Sequence, residues 1–156
     1  MRFLDRESLR VVLLNTKQHL ITVCTVSQGS VNESLAHPRE VFKPPIVIAA
    51  YSFIMVHNHP SGDPAPSEAD MRLTRRILEA SRILQLQLLD HVIIGAPAPD
   101  RINFSRICSS VFDTSELGKN HSHWASLVFR ELSRLIDFVH IQRSIAVNRR
   151  MLRVAR

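Results

Sequence analysis

The sequence predicts an α/β (α+β) fold, a mixed sheet flanked by helices, on three observations. Short apolar runs rich in β-branched residues recur at 9–14 (LRVVLL), 19–26 (HLITVCTV) and 86–94 (LQLLDHVII), with the length and composition of strands. Between them stand segments with helix-start signals and helical spacing. One stretch, 46–56 (IVIAAYSFIMV), is apolar throughout, as a strand buried on both faces requires. A chain of 156 residues with 45 % hydrophobic content and only four glycines carries enough apolar material for a self-sufficient core.

Taken in order, the first two runs flank Asn15-Thr16-Lys17, a turn-like tripeptide, so a hairpin is the simplest reading. After Gly29 a polar connection leads into HPREVF, where Pro38 suits the first turn of a helix and Arg39 and Glu40 follow. Pro44 and Pro45 should break or kink that helix, since each lacks an N–H and crowds the preceding turn. Residues 46–56 then read as a helix end plus a central strand that delivers His57 and His59 at its end. A proline- and glycine-rich loop follows, and Ser67 opens the next helix. Met71, Leu73, Thr74, Ile77, Leu78 and Leu84 supply its inner face, and Arg72, Arg75, Arg76, Glu79 and Arg82 face water. From residue 119 onward, apolar side chains between Trp124 and Ile141 recur at helical spacing, and the run ends in Arg149, Arg150, Arg153 and Arg156. The chain thus divides into a domain over 1–106 and a basic helical extension over 107–156.

The net charge of +6 belongs to that extension. Residues 1–118 hold twelve Lys/Arg against twelve Asp/Glu, and residues 119–156 hold eight against two. Weak nucleic-acid contact through the arginines is therefore a reading of the tail, with solvated charge as its alternative. Cys24 and Cys108, with no close spacing, read as buried free thiols in a reducing compartment and exclude a sulfur-based zinc site. The charged start MRFLDRESLR is unlike a secretory signal, and no apolar run reaches the length of a membrane span, so a cytoplasmic location with no membrane partner is expected.

The chemistry concentrates in HNHPSGDPAPSEAD, residues 57–70. Two histidines at i and i+2 of a strand end point to one face. Imidazole is a good zinc ligand, and a catalytic zinc takes three protein ligands and keeps one place open. Asp70, eleven residues beyond His59, can bring back an anionic oxygen across a loop stiffened by Gly62, Pro64 and Pro66. A plainer reading is also open. Ser67-Glu68-Ala69-Asp70 fits a helix cap, with Ser67 as N-cap and Asp70 near the positive helix end, and the histidines are then polar residues at a strand terminus. Both readings can hold at once.

H-x-H, seven residues, S-x-x-D is the signature of the JAMM (MPN-type) metalloproteases, and His57, His59, Ser67 and Asp70 match it. With HPREVFKP, HNHPSGDPAPSEAD and LLDHVIIG in order, residues 6 to 105 resemble the RadC branch. The resemblance implies a cytidine-deaminase-like sandwich, one zinc per chain on His57, His59 and Asp70, and Ser67 aiding the oxyanion. It also implies a general-base glutamate at Glu7, just ahead of the first strand, with Glu33 and Glu40 as rivals. The implied reaction is amide or isopeptide hydrolysis of a peptide or protein substrate. A link to DNA repair comes with the family name alone.

Three features limit the resemblance. The helix-hairpin-helix-like region of longer RadC proteins, and any DNA contact it makes, is not expected from these residues. Pro44-Pro45-Ile46 replaces a smoother helical segment, and the tail beyond residue 106 matches nothing in the pattern. His121-Ser122-His123 imitates the motif, but Glu131 and Arg134 stand where Ser and Asp should follow. His91 reads as a packed or hydrogen-bonded strand residue rather than a ligand. An HNH nuclease is excluded because its named residues are spread over a ββα motif, whereas here they are consecutive. A zinc deaminase is disfavoured by the lack of H-x-E and P-C-x-x-C.

Overall fold

The computed structural model describes residues 6–29, 36–96 and 103–107. The sheet has five strands in the order β2-β1-β3-β4-β5. They are β1 (Glu7–Leu14), β2 (Leu20–Gly29), β3 (Ser52–Asn58), β4 (Gln87–Ile94) and β5 (Phe104–Arg106). Two helices complete the described fold, α1 (Pro38–Val47) and α2 (Glu68–Leu84). β3 runs parallel to β4 and antiparallel to β1, so the sheet is mixed, as expected. The C-terminal helix expected between Trp124 and Ile141, and the extension beyond Ile107, lie outside the described residues.

The hairpin forms where the turn chemistry placed it. The Asn15 side chain accepts hydrogen bonds from the N–H groups of Lys17 and His19 at 2.9 and 3.0 Å, which reverses the chain into β2. β3 is buried at all seven positions, which explains the apolar run Phe53–Val56 at its centre. Its alternate side chains divide the interior. Phe53 and Met55 pack with Leu9, Val11 and Leu13 of β1, Phe42 of α1, and Leu73 and Ile77 of α2. Ile54 and Val56, at the intervening positions, are buried as well.

Three expectations need correction. α1 is not broken at Pro44 and Pro45 but continues through both to Val47. The prolines stand in its last four residues, so few intrahelical donors are lost. The carbonyls of Pro44 and Pro45 are taken up by the N–H groups of Ile48 and Ala50 at 3.1 and 2.9 Å, and Pro45 is buried. In α2 the buried stripe is Asp70, Leu73, Thr74, Ile77 and Ser81, while Leu84 is 45 % exposed and Met71 and Leu78 are half-buried. Cys24 is also half-buried, because β2 is an edge strand; Cys108 lies outside the described residues.

β5 is held to β4 by more than its ladder. Arg106 pairs through Nε with the carboxylate of Asp90, which is fully buried and also accepts the backbone N–H of His91 at 2.8 Å. A buried carboxylate left without its cation costs on the order of 3–5 kcal/mol, so Arg106 seals this end of the sheet. Among the described residues, no helix is long and apolar enough to cross a membrane.

Candidate metal centre

The centre forms where β3 ends. His57 is the penultimate residue of the strand, and His59 follows it directly. The ladder still constrains His59, whose N–H donates to the carbonyl of Ile94 at 3.0 Å. The loop then folds back onto the end of β4, with Gly62 donating to His59 O at 3.0 Å and Ala96 donating to Gly62 O at 2.8 Å. This approach needs a bare backbone at Gly95, where a Cβ would lie 2.4 Å from the carbonyl oxygen of Gly62. The first half of the loop is therefore fastened to the ends of β3 and β4.

Ser67 caps α2 as the sequence indicated, in a reciprocal box. Its hydroxyl accepts the N–H of Asp70 at 3.2 Å, and Asp70 Oδ2 accepts the N–H of Ser67 at 2.7 Å. The hydroxyl of Ser67 also donates to Asp70 Oδ2 at 2.6 Å. Its one hydrogen thus points at the carboxylate, and an oxyanion would draw on it only after the hydroxyl turned.

Capping and clustering coincide. Asp70 Oδ1 lies 3.2 Å from His57 Nε2, Oδ2 lies 3.3 Å from His59 Nε2, and the two Nε2 atoms are 2.9 Å apart. Glu7 completes the group, and the four ligand atoms all lie within 4.8 Å of one another. Glu40 is exposed on α1 and outside this cluster. Glu33 lies outside the described residues. His57 and Asp70 are fully buried and His59 is 16 % exposed, so the cluster opens toward solvent on the His59 side.

Asn58, between the two histidines in sequence, faces the other way and sets Glu7. Its Oδ1 accepts the N–H of Ser8 and its Nδ2 donates to the carbonyl of Arg6, each at 3.0 Å. One amide therefore brackets the backbone on both sides of Glu7. The sequence held no signal for this, because the partners are about fifty residues away.

The donors fit a metal ion. His59 Nδ1 faces the carbonyl of Asp63 at 2.8 Å, and a carbonyl only accepts. The ring hydrogen therefore sits on Nδ1, and Nε2 presents a lone pair to the cluster. Asp70 Oδ1 is buried with no hydrogen bond of its own. Two imidazoles and a carboxylate turned on one point form a recognised ligand set for a divalent ion with an open place.

The titration behaviour agrees. Burial pushes the Asp70 carboxyl up, but the His57 imidazole and the hydrogen bonds from Ser67 outweigh it and hold it well below the ordinary carboxylate range. Burial raises Glu7, offset in part by His57 and His59. His91 is lowered to about 3, first by burial and then by His57. The unfolded chain, with His91 at its ordinary 6.5, binds a proton that the folded chain refuses until about 3. Stability contributed by neutral His91 is thus full above that ordinary value and drains as pH falls toward the folded one, by up to about 1.4 kcal/mol per pH unit. The urea midpoint of metal-free protein is expected to drop through this window, and His91→Gln should lack that component. Equal pH profiles for the two would refute it.

Comparison with known proteins places this geometry. Residues 1–105 match the RadC-like JAB domain. A UPF0758 protein of Moorella thermoacetica is 58 % identical over 95 residues, 61 % of this chain and 42 % of that protein. Another from Caldanaerobacter subterraneus is 55 % identical over 95 residues, 61 % of this chain and 41 % of that protein. One from Bacillus licheniformis is 55 % identical over 95 residues, again 61 % and 42 %. The chain spans about two fifths of the length of these relatives. With the match covering 105 of 156 residues and the H-x-H and S-x-x-D side chains gathered at one end of a mixed sheet, the chain belongs to the RadC-like JAB domain family of the JAB/MPN superfamily.

Proposed function

We propose that this domain is a zinc-dependent metallopeptidase that hydrolyses an amide or isopeptide bond in a peptide or protein substrate. The observation that carries the reading is the convergence of His57, His59, Asp70 and Glu7 within 4.8 Å on the side where His59 meets solvent. A zinc ion bound to the first three would supply Lewis acidity, bringing the pKa of water to roughly 7 and polarising a carbonyl.

The remaining roles belong to the chain. Glu7 takes the proton from the attacking water and passes it to the departing nitrogen. A general base must both accept and release a proton, which a carboxylate beside the bound water can do. Asp70 is held by the α2 cap, and Ser67, turned from Asp70, offers a hydroxyl to the developing oxyanion. A reducing, cytoplasmic setting accords with the free thiol of Cys24.

A second reading, a nucleic-acid-binding accessory protein associated with DNA repair, is favoured by one observation, the eight Lys/Arg against two Asp/Glu in residues 119–156. One preparation separates the two. Protein stripped with a chelator and reloaded with zinc is incubated with peptide and isopeptide-linked substrates and analysed by mass spectrometry. Cleavage by the reloaded protein alone is the expected result; equal cleavage by the stripped protein, or none by either, overturns the peptidase reading. Strong, steeply salt-dependent DNA binding that disappears on deleting 119–156 would favour the accessory role instead.

A further inference from the structure

Behind His57 lies a line of buried polar groups that no ligand role uses. His57 Nδ1 faces His91 Nε2 at 2.8 Å, and His91 Nδ1 faces Thr74 Oγ1 at 2.6 Å. The hydroxyl of Thr74 in turn donates to the backbone carbonyl of Asp70 at 2.7 Å. All four residues are buried, so water does not rearrange these contacts.

Counting hydrogens fixes the direction of the line. A carbonyl can only accept, so the single hydrogen of Thr74 goes to Asp70. Thr74 Oγ1 must then accept, which puts a hydrogen on His91 Nδ1. A neutral His91 is left with a lone pair on Nε2, and that lone pair can be satisfied only by a hydrogen on His57 Nδ1. On a neutral His57 this leaves Nε2 bare, facing His59 Nε2 and Asp70 Oδ1. Reversing any member would put a hydrogen on His57 Nε2 and aim it at the place of the ion.

We propose that Thr74 and His91 are positioning residues that form a polarity relay, selecting the His57 tautomer whose Nε2 can donate an electron pair to a metal ion. The relay starts and ends on one residue. The backbone of Asp70 anchors its far end, while the carboxylate of Asp70 stands beside its product. The first turns of α2 thereby supply one prospective ligand and orient another across two strands. The inference rests on the metal reading of the cluster and not on the hydrolytic one.

The test uses the full chain. Long-range proton–nitrogen correlation spectra of metal-free protein report which nitrogen of His57 carries hydrogen, and competition with a chromophoric chelator reports zinc affinity. His57 is expected as the Nδ1–H tautomer. Thr74→Val keeps the side-chain shape but removes the hydroxyl; it should mix the His57 tautomers and weaken zinc binding by about 10–100-fold, the usual effect of losing an outer-shell partner. Thr74→Ser, which restores the hydroxyl, should recover most of the affinity, a rescue that a merely packed threonine would not require. An Nε2–H tautomer for His57 in the wild type, or Thr74→Val binding zinc as tightly as wild type with unchanged His57 signals, overturns the relay. If wild-type protein takes up no zinc, the metal reading falls, and the His57 tautomer still decides the relay.

Discussion

Asp70→Asn and His57→Ala are each expected to remove the metal ion and all hydrolysis that depends on it. Purified wild-type protein should carry close to one zinc per chain. Either variant should bind zinc more than about 100-fold more weakly, since the loss of a direct ligand must exceed that of an outer-shell partner. Asp70→Asn is the more informative of the two. Its amide oxygen can still accept the N–H of Ser67, so the cap on α2 survives while the anionic charge is lost. His57→Ala also opens a hole at a fully buried position and should lower stability as well as affinity. Elemental analysis after dialysis, with circular dichroism to check folding, reads the outcome. Zinc that persists in both variants would mean that the cluster is only a strand end and a helix cap.

Glu7→Gln should separate chemistry from binding. The replacement keeps the shape of a half-buried side chain at the start of β1, and the Asn58 amide still brackets its backbone. Fold and zinc content should therefore remain those of the wild type. Hydrolysis should fall by about 10²–10⁴-fold, the usual contribution of a positioned general base. Undiminished hydrolysis by Glu7→Gln would remove Glu7 from the mechanism and leave Glu33 as the carboxylate to examine.

Much of this was legible along the chain because it is local. The apolar text of residues 46–56 announced a helix end and a buried strand, the Asn15 turn announced a hairpin, and Ser67 with Asp70 announced a helix cap. Where the reading erred, it applied a local rule without its surroundings. Pro44 and Pro45 do remove two helix donors, but they stand in the last turn, and the helix end is still closed by the N–H groups of Ile48 and Ala50 on the carbonyls of Pro44 and Pro45. Leu84 has the spacing of the inner face, yet the stripe that is buried holds Asp70, Thr74 and Ser81 beside Leu73 and Ile77. A carboxylate and two hydroxyls on the buried stripe of a helix were themselves a functional signal, since burying polar groups without partners is costly.

By its spacing and local chemistry the sequence determined four of the five strands, the helix starts, the capping box and His57, His59 and Asp70 as possible metal ligands, while Glu7 and the choice of the metal reading came from the family resemblance. Only the tertiary structure decided how they meet. It alone showed that Asn58 brackets Glu7, that Arg106 neutralises Asp90, and that Thr74 and His91 stand behind His57. The physical reason is that a short-range pattern is set by dihedral preference and periodicity, which neighbouring residues carry. The hydrogen bonds of buried polar groups are instead made between distant residues, and are determined only when separate strands and helices pack into the same dry space.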